Sequence, residues 1–458
     1  MTNKQTNRTI VTIGLLTAVF IGALDATVVT TATPSIEAEL KGLTLISWIF
    51  SIYTLSMCMA MPIFGKLADL YGRKLVFITG LSLFLLGSVL CGFAQSMFDM
   101  IWFRAIQGLG AGALTPVTFT IVGDLYTGEK RGRIQGLFAS VWSVAGIVGP
   151  FVGGYFVDQI SWRWIFYMNV PISLITFVLV YGFLHEKVDK VAKKIDYAGA
   201  ITFTISITCL LLVLLTGGET FPWNSPTIAT LTISAITFFS LFLFVEKRAP
   251  EPMMPLKLFQ QRKLAVIYIL GFLMFCIEAG LMLYTPMWSQ RVMGHNATTA
   301  GFMLMPMSVA WLLASTLSGR LMYRIGVKIF MVLGAFMIVA GGLWLALLNL
   351  QSPIGALIGI VMLIGFGMGC MNTPAIVTIQ SAVEKEQRGS ATSTNSLMNA
   401  IGQTVGFALF GMLFNRVVLE KTVDDYATGM HAIFVAMFII AIINFVIVQG
   451  LPSRRSEL

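Results

Sequence analysis

Gly65-Lys-Leu-Ala-Asp69-Leu-Tyr-Gly72-Arg73-Lys74 sets Lys66, Asp69, Arg73 and Lys74 between two apolar runs, each long enough to cross a bilayer. Charged side chains are costly in hydrocarbon, so the stretch reads as a short loop at a membrane face. Gly65 and Gly72 would let the chain turn tightly there and let two helix ends approach closely. Asp69 beside Arg73 and Lys74 makes a local charge cluster instead of pure repulsion. A loop that only fixes membrane orientation explains the basic residues, but neither the paired glycines nor the acid among them.

Outward from this stretch the alternation of apolar runs and short polar breaks continues to both ends. The 458 residues are 57% hydrophobic and 11% charged, with a mean hydropathy of +0.84. Soluble domains carry about 25% charged residues, so the composition predicts an all-α polytopic membrane protein. A net charge of +9 would point to nucleic acid in a soluble chain. Here the Lys and Arg collect in the breaks, and no nucleic-acid partner is expected. Fourteen spans are predicted, near 10–33, 44–64, 75–95, 98–123, 132–157, 163–184, 197–217, 225–245, 264–287, 298–322, 327–349, 353–379, 391–415 and 430–451. An N-terminus inside puts most of the Lys and Arg on the cytoplasmic side, and the even count puts both termini there. Lys4 and Arg8 precede an apolar run that lacks a small-residue cleavage site, which predicts an uncleaved first helix. Cys58, Cys91, Cys209, Cys276 and Cys370 all lie in apolar runs and are odd in number, so they read as buried hydrophobes.

The chain repeats itself. Gly108-Leu-Gly-Ala-Gly-Ala-Leu-Thr-Pro116 and Gly365-Phe-Gly-Met-Gly-Cys-Met-Asn-Thr-Pro374 space small residues alike ahead of a proline. Arg131-Gly132 and Arg388-Gly389 follow at similar distances, and Gly319-Arg-Leu-Met-Tyr-Arg-Ile-Gly-Val-Lys328 weakly echoes the opening stretch. Repeats of this kind suit a transporter whose two bundles rock about a midplane site. The predicted organisation is a six-helix bundle over 1–186, an inserted transmembrane hairpin with cytoplasmic linkers over 187–263, and a second six-helix bundle over 264–458. Glu219 is the only charge in 197–245.

The charged stretch closely resembles the loop signature between the second and third helices of the major facilitator superfamily. Gly146-Ile-Val-Gly149-Pro150-Phe-Val-Gly153-Gly154 resembles the antiporter signature of its drug-exporting branches. Read from the residues alone, those glycines allow close helix packing and Pro150 permits a bend. Ile101-Trp-Phe-Arg104-Ala-Ile-Gln107-Gly108 matches the fourth-helix element. Leu24-Asp25-Ala-Thr27-Val-Val with Pro34 resembles an element of drug:proton antiporters, and Trp162-Arg-Trp-Ile-Phe-Tyr-Met-Asn169-Val-Pro171 a segment of their fourteen-helix branch. The resemblance covers nearly the whole chain. It implies that Gly65, Asp69, Gly72, Arg73 and Asp124 form a conformational gate at the cytoplasmic face. It also implies that the first and ninth spans line a central cavity.

Asp25 and Glu278 are the carboxylates predicted to lie well inside spans, each about 20 Å up from the cytoplasmic end at 1.5 Å per residue. Ionised acids in hydrocarbon are costly, so both are candidates for proton coupling, against the plainer reading of structural hydrogen-bonded acids. Asp25 is the better candidate for protons and Glu278 for contact with a cationic drug, with the roles open to reversal or sharing. The 26 Met suit pockets that adapt to several ligands, although a Met-rich stripe is more often helix packing. Met274, Phe275 and Met282 surround Glu278 in sequence, and Asn395, Asn399 and Gln403 put three amides on one helical face. These residues are the candidate substrate contacts.

A phosphate-binding loop for ATP is absent from the sequence, and His185, His295 and His431 fall near span ends. No enzymatic activity, cofactor or metal is expected. The resemblance implies a multidrug efflux antiporter of the bacterial plasma membrane, acting as a monomer and exchanging protons for amphipathic, often cationic or zwitterionic drugs. Rival readings are a proton-coupled carrier of one lipid or metabolite, and a non-transporting membrane sensor.

Overall fold

The computed structural model describes residues 6–126, 128–186, 197–217, 221–249, 252, 256–383, 388–418 and 422–451. The side chains of 62, 66, 69, 70, 128–133, 135, 136, 139, 140, 143, 197, 215, 323, 388–390 and 393 fall outside the described set. Within it, the helices in chain order are α1 (Arg8–Leu40), α2 (Ile46–Tyr71), α3 (Arg73–Phe93), α4 (Met97–Leu125), α5 (Gly128–Gln159), α6 (Trp164–Tyr167), α7 (Asn169–Phe183) and α8 (Tyr197–Thr216). There follow α9 (Pro226–Arg248), α10 (Lys257–Gln260), α11 (Arg262–Arg291), α12 (Ala297–Ile325), α13 (Val327–Ala346), α14 (Ile354–Ser381), α15 (Arg388–Val417) and α16 (Val423–Gln449). Among the described residues, 12 helices are long and apolar enough to cross a membrane. Beyond these, α5 runs for 32 residues and α8 carries the shorter apolar stretch Ala198–Leu214. Large apolar side chains such as Trp102, Ile233 and Val446 are more than 60% exposed. Water would penalise them, and lipid accommodates them.

Three expectations are corrected. The charged stretch is not a loop: α2 continues through Gly65 to Tyr71, and the chain turns at Gly72 alone, whose φ of 92° favours glycine. Gly65 therefore sits inside a helix, with open space where a side chain would be, and mediates no close approach of helix ends. The helices also outrun the hydropathy windows, because hydropathy marks the hydrocarbon while a helix ends at its caps. Caps are set by Ser96 and Asp99 in a reciprocal capping box on α4, by Asn296 on α12 and by Thr422 on α16. Extension of α1 to Leu40 makes Glu37 a further buried carboxylate, and Glu246 near the end of α9 is another. Finally, the sixth span breaks at Met168 into α6 and α7. Pro171 has no N–H to offer the carbonyl of Tyr167, which removes the bond that would have continued α6.

The chain divides into two compact units, Met1–Cys209 with Ile233–Met253 and Leu210–Thr232 with Met254–Leu458. In the first, α1 packs on α5 and α7, α2 on α4, and α3 on α4 and α7. In the second, α11 packs on α15 and α16, α12 on α14, and α13 on α14 and α16. The two packing schemes are the same, and the glycine repeats are their seams. A Cβ at Gly108 or Gly112 would lie 2.4 Å from the carbonyl oxygen of Tyr53 or Met57 on α2, and one at Gly110 would lie 2.2 Å from the backbone nitrogen of Phe84 on α3. In the other unit, a Cβ at Gly365 or Gly369 would lie 2.4 Å from the carbonyl oxygen of Met307 or Trp311 on α12, and one at Gly367 would lie 2.6 Å from that of Gly334 on α13. Small residues let the middle helix of each trio touch both neighbours through backbone. Gly326, with φ 113°, turns the chain between α12 and α13 as Gly72 does between α2 and α3.

Candidate functional site

In the first unit, α4 carries Arg104 into the interior, where its side chain is 1% exposed. A buried guanidinium needs a counter-charge and acceptors. Arg104 Nη1 donates to Asp25 Oδ2 at 2.7 Å and to Gln107 Oε1 at 2.8 Å, and Nε donates to the carbonyl of Ile49 at 3.4 Å. The guanidinium carbon lies 4.0 Å from the ring centre of Tyr53, a cation–π contact. Gln107, one turn along α4, donates from Nε2 to Asp25 Oδ1 at 2.8 Å. Asn169 completes the cluster, donating from Nδ2 to Asp25 Oδ1 at 3.4 Å and to Ser88 Oγ at 2.9 Å. The break before α7 puts Asn169 first in its helix. Ser88 passes the chain on to the carbonyl of Phe166 at 2.8 Å. Asp25 is thus enclosed by a cation and two amides, its charge paired within the helices.

Beside this cluster, α1 and α5 cross at the predicted antiporter motif. Gly146, Gly149, Pro150, Gly153 and Gly154 are all buried. A Cβ at Gly149 would lie 2.0 Å from Thr27 Oγ1, and one at Gly153 would lie 2.5 Å from Thr31 Oγ1. Thr27 hydroxyl donates within α1 to Leu24 O at 3.0 Å and reaches Ala145 O on α5 at 3.4 Å. The motif therefore seats α5 against the helix that carries Asp25.

At the Gly72 turn, Arg73 is ion-paired with Asp124 of α4 and lies 3.8 Å from Glu186, just past α7. Glu186 Oε2 also accepts the backbone N–H of Lys74 at 3.0 Å, and so caps the start of α3 from another segment. Lys74 Nζ lies over the Tyr181 ring at 4.7 Å. Arg73 and Asp124 come together as expected, and Glu186 joins them unforeseen. The side chain of Asp69 lies outside the described residues, as do those of Arg131, Gly132, Arg388 and Gly389. A second clasp holds the far end of the unit: Glu39 accepts from Trp162 Nε1 at 2.6 Å and from Arg163 at 2.5 Å, and Arg163 donates onward to Ala94 O at 3.1 Å.

In the second unit, Glu278 is half-buried on α11, and its Oε2 is buried without a hydrogen-bond partner. Met274 is buried and Met282 half-buried, while Phe275 meets Trp311 edge to face at 6.3 Å. Met303 and Met307 are fully buried and serve as packing. Asn395 and Asn399 turn towards α11 at Gly271, where a Cβ would lie 2.4 Å from Asn399 Oδ1 and 3.5 Å from Asn395 Oδ1. Asn399 Oδ1 is buried and unpartnered. Among the described residues, no group of His, Cys, Asp and Glu could hold a metal ion.

Comparison with known proteins decides the family. The sequence profile described as Major Facilitator Superfamily matches residues 15–407. This chain is a member of the Major Facilitator Superfamily. It is similar to Multidrug resistance protein 3 of Bacillus subtilis, 37% identical over 94% of this chain and 84% of that protein. It is also similar to Multidrug transporter protein MdtP of the same organism, 34% identical over 90% of this chain and 76% of that protein. Two solved structures share its fold. A point mutant of the nucleoside transporter NupG matches with a TM-score of 0.68 at 14% identity, over 96% of this chain and 99% of that one. A bacterial homolog of the human lysosomal transporter Spinster, in an inward-facing and occupied conformation, matches with a TM-score of 0.65 at 15% identity over 96% of each chain.

As a member of this superfamily the protein is a multi-pass membrane transporter and not an enzyme. Within that frame the motifs acquire physical roles. The fourth-helix element supplies Arg104 and Gln107 to Asp25, the glycine motif Gly146–Gly154 packs α5 on α1, and the segment Trp162–Pro171 ties down both an end clasp and Asn169. Ser88, Asn169 and Glu186 were not singled out as site residues. Asn169 lay within the quoted segment Trp162–Pro171 without a role of its own, and Glu186 had a signal as an acid just past the sixth span at the face that carries the basic stretch.

Proposed function

We propose that this transporter is a proton-coupled multidrug efflux antiporter of a bacterial plasma membrane, working by alternating access with both termini cytoplasmic. Its substrates are amphipathic, often cationic or zwitterionic compounds such as dyes, biocides and fluoroquinolones. The names of its relatives support drug export. The topology is fourteen spans, α5 and α8 joining the twelve, with bundles over 1–186 and 264–458 and an inserted hairpin within 187–263. The transporter acts as a monomer.

The observation that carries the coupling is Glu278. A carboxylate oxygen buried without a donor leaves its charge uncompensated. Either a proton or a bound cation removes that charge, so proton and cationic drug compete for one group. Asp25 works differently. Its charge is already matched by Arg104, so a proton arriving there releases the guanidinium from the pair and couples protonation to movement of α4 against α1. Both acids belong to the coupling machinery, with Glu278 the direct exchanger. Met274, Phe275, Met282, Asn395 and Asn399 supply the adaptable substrate contacts near it. Arg73, Asp124 and Glu186, with Asp69, latch the cytoplasmic face between transport steps.

Everted vesicles, with ethidium added to the outside, test this. Dissipating the proton gradient is expected to abolish transport with ATP present, and ethidium addition to release protons. Transport that survives a protonophore but fails on ATP depletion refutes the proposal.

A further inference from the structure

On α11, seven and eleven residues return to nearly the same direction at 3.6 residues per turn, so Glu278, Thr285 and Ser289 lie on one face. Thr285 is completely buried, and its Oγ1 has no hydrogen-bond partner. Thr118 and Thr378 share this state, but most of the described threonines do not. Buried or half-buried threonines elsewhere return their hydroxyls to the carbonyl one turn back, as Thr12 does to Arg8, Thr202 to Ala198 and Thr404 to Ala400. One turn further along, Trp288 Nε1 is also buried and unpartnered. Two orphaned polar atoms a turn apart mark a place where water belongs. Next comes Ser289, fully buried, whose Oγ lies 3.5 Å from His295 Nδ1. The backbone N–H of His295 bonds to the Ser289 carbonyl at 3.0 Å, which folds the α11–α12 turn back and fixes the imidazole over the serine. His295 itself is half-exposed. Among the described residues, the charged or titratable groups at this end include Arg291, whose guanidinium lies 5.6 Å from the Tyr426 ring centre, Arg416 in the last turn of α15, Asp424 and Asp425 in the first turn of α16, and His431 about two turns along it.

We propose that His295, Ser289 and Thr285 form a proton relay that delivers protons from the α11–α12 turn to Glu278, an inference that rests on the reading of Glu278 as proton exchanger. The successive rises along α11 are about 10.5 Å from Glu278 to Thr285 and about 6 Å from Thr285 to Ser289. The first gap needs bridging water, with the orphaned Thr285 Oγ1 at its end; Trp288 Nε1 belongs to the second gap, between Thr285 and Ser289. In the transfer, the imidazolium Nδ1–H gives its proton to Ser289 Oγ as the serine's own proton passes through water to Thr285 Oγ1. The threonine's proton passes in turn through water to the Glu278 carboxylate. Every O–H bond broken is replaced by one formed. The hydroxyls then rotate back, and His295 regains its proton from the aqueous phase. One carboxylate becomes one carboxylic acid, at the cost of one proton from that side. By the proposed orientation the α11–α12 turn faces outside, which is the side an efflux antiporter draws protons from.

The test uses the purified transporter in proteoliposomes, with ethidium as probe and two assays. Proton-driven transport requires the relay; ethidium counterflow without a gradient does not, because the drug-loaded carrier shuttles unprotonated. Thr285→Val keeps the shape and removes the hydroxyl. It is expected to slow proton-driven transport about ten-fold or more and to leave counterflow unchanged. Thr285→Ser is expected to restore the rate, and Ser289→Ala and His295→Gln to show the same selective loss. Parent rates in Thr285→Val, or equal loss in both assays, overturn the relay. Glu278→Gln separates the two readings. If it transports on the proton gradient as the parent does, Glu278 is not the exchanger. If it abolishes that transport while Thr285→Val does not, the relay alone fails.

Discussion

Removing Arg104 should expose how much the interior of the first unit depends on one ion pair. Arg104→Met keeps most of the volume and deletes the guanidinium, with its bonds to Asp25 at 2.7 Å, Gln107 at 2.8 Å and Ile49 O at 3.4 Å and its stacking on Tyr53. Asp25 is left with the amide of Gln107 at 2.8 Å and that of Asn169 at 3.4 Å, and no counter-charge. Leaving one member of a buried pair uncompensated costs about 3–5 kcal/mol. Asp25→Asn strands the Arg104 cation in turn, but an acceptor remains for it and no new cavity opens, so a cost at the lower end, about 3 kcal/mol, is expected. The double variant has no stranded charge, so its cost should fall short of the sum by about 2 kcal/mol. Unfolding in mixed detergent micelles, followed by tryptophan fluorescence, gives the four stabilities of the cycle. Costs that add to within about 0.5 kcal/mol would refute the pair as the organiser of this interior.

Two further outcomes follow from the same geometry. Gly149→Ala is expected to lower both stability, by about 1–3 kcal/mol, and dye transport, because its Cβ would lie 2.0 Å from Thr27 Oγ1; Thr27→Ala in the same chain should restore part of each, and a fully active single variant contradicts a tight α1–α5 seam. Arg73→Ala, Asp69→Asn and Glu186→Gln should slow turnover with little change in substrate affinity, and normal turnover in all three leaves the stretch only its orienting role.

The membrane class, the internal repeat and the motifs were legible because hydropathy and glycine spacing are local patterns. Gly108 and Gly365 announced the seams that the structure places against α2 and α12. Helix ends were less legible, since the polar caps at Ser96, Asn296 and Thr422 lie beyond the apolar runs. The charged stretch misled for a related reason: charge excludes a segment from hydrocarbon but not from a helix, and α2 simply continues to Tyr71. Asp25 and Arg104 were each visible as ionisable residues inside spans. Their partnership was not, because 79 residues separate them and no spacing rule connects two helices. Asn169 required knowing that Pro171 breaks the sixth span where it does. Thr285 was invisible for the opposite reason: a threonine in an apolar helix is ordinary until its hydroxyl is found without a carbonyl.

The glycine seams have a mechanical consequence. Where α4 meets α2 and α3, and α14 meets α12 and α13, backbone touches backbone at the glycines, and those points of contact have no rotamers to exchange. Such a contact cannot creep by repacking; it either holds or comes apart. Each trio is therefore stiffened at its glycines, and thermal distortion within a unit is channelled to joints that are held through side chains instead. In the first unit those joints include Thr27 and Thr31, whose hydroxyls face the glycines of α5. Compliance thus collects on α1, the helix that carries Asp25, while the helix that carries Arg104 belongs to the stiffened trio.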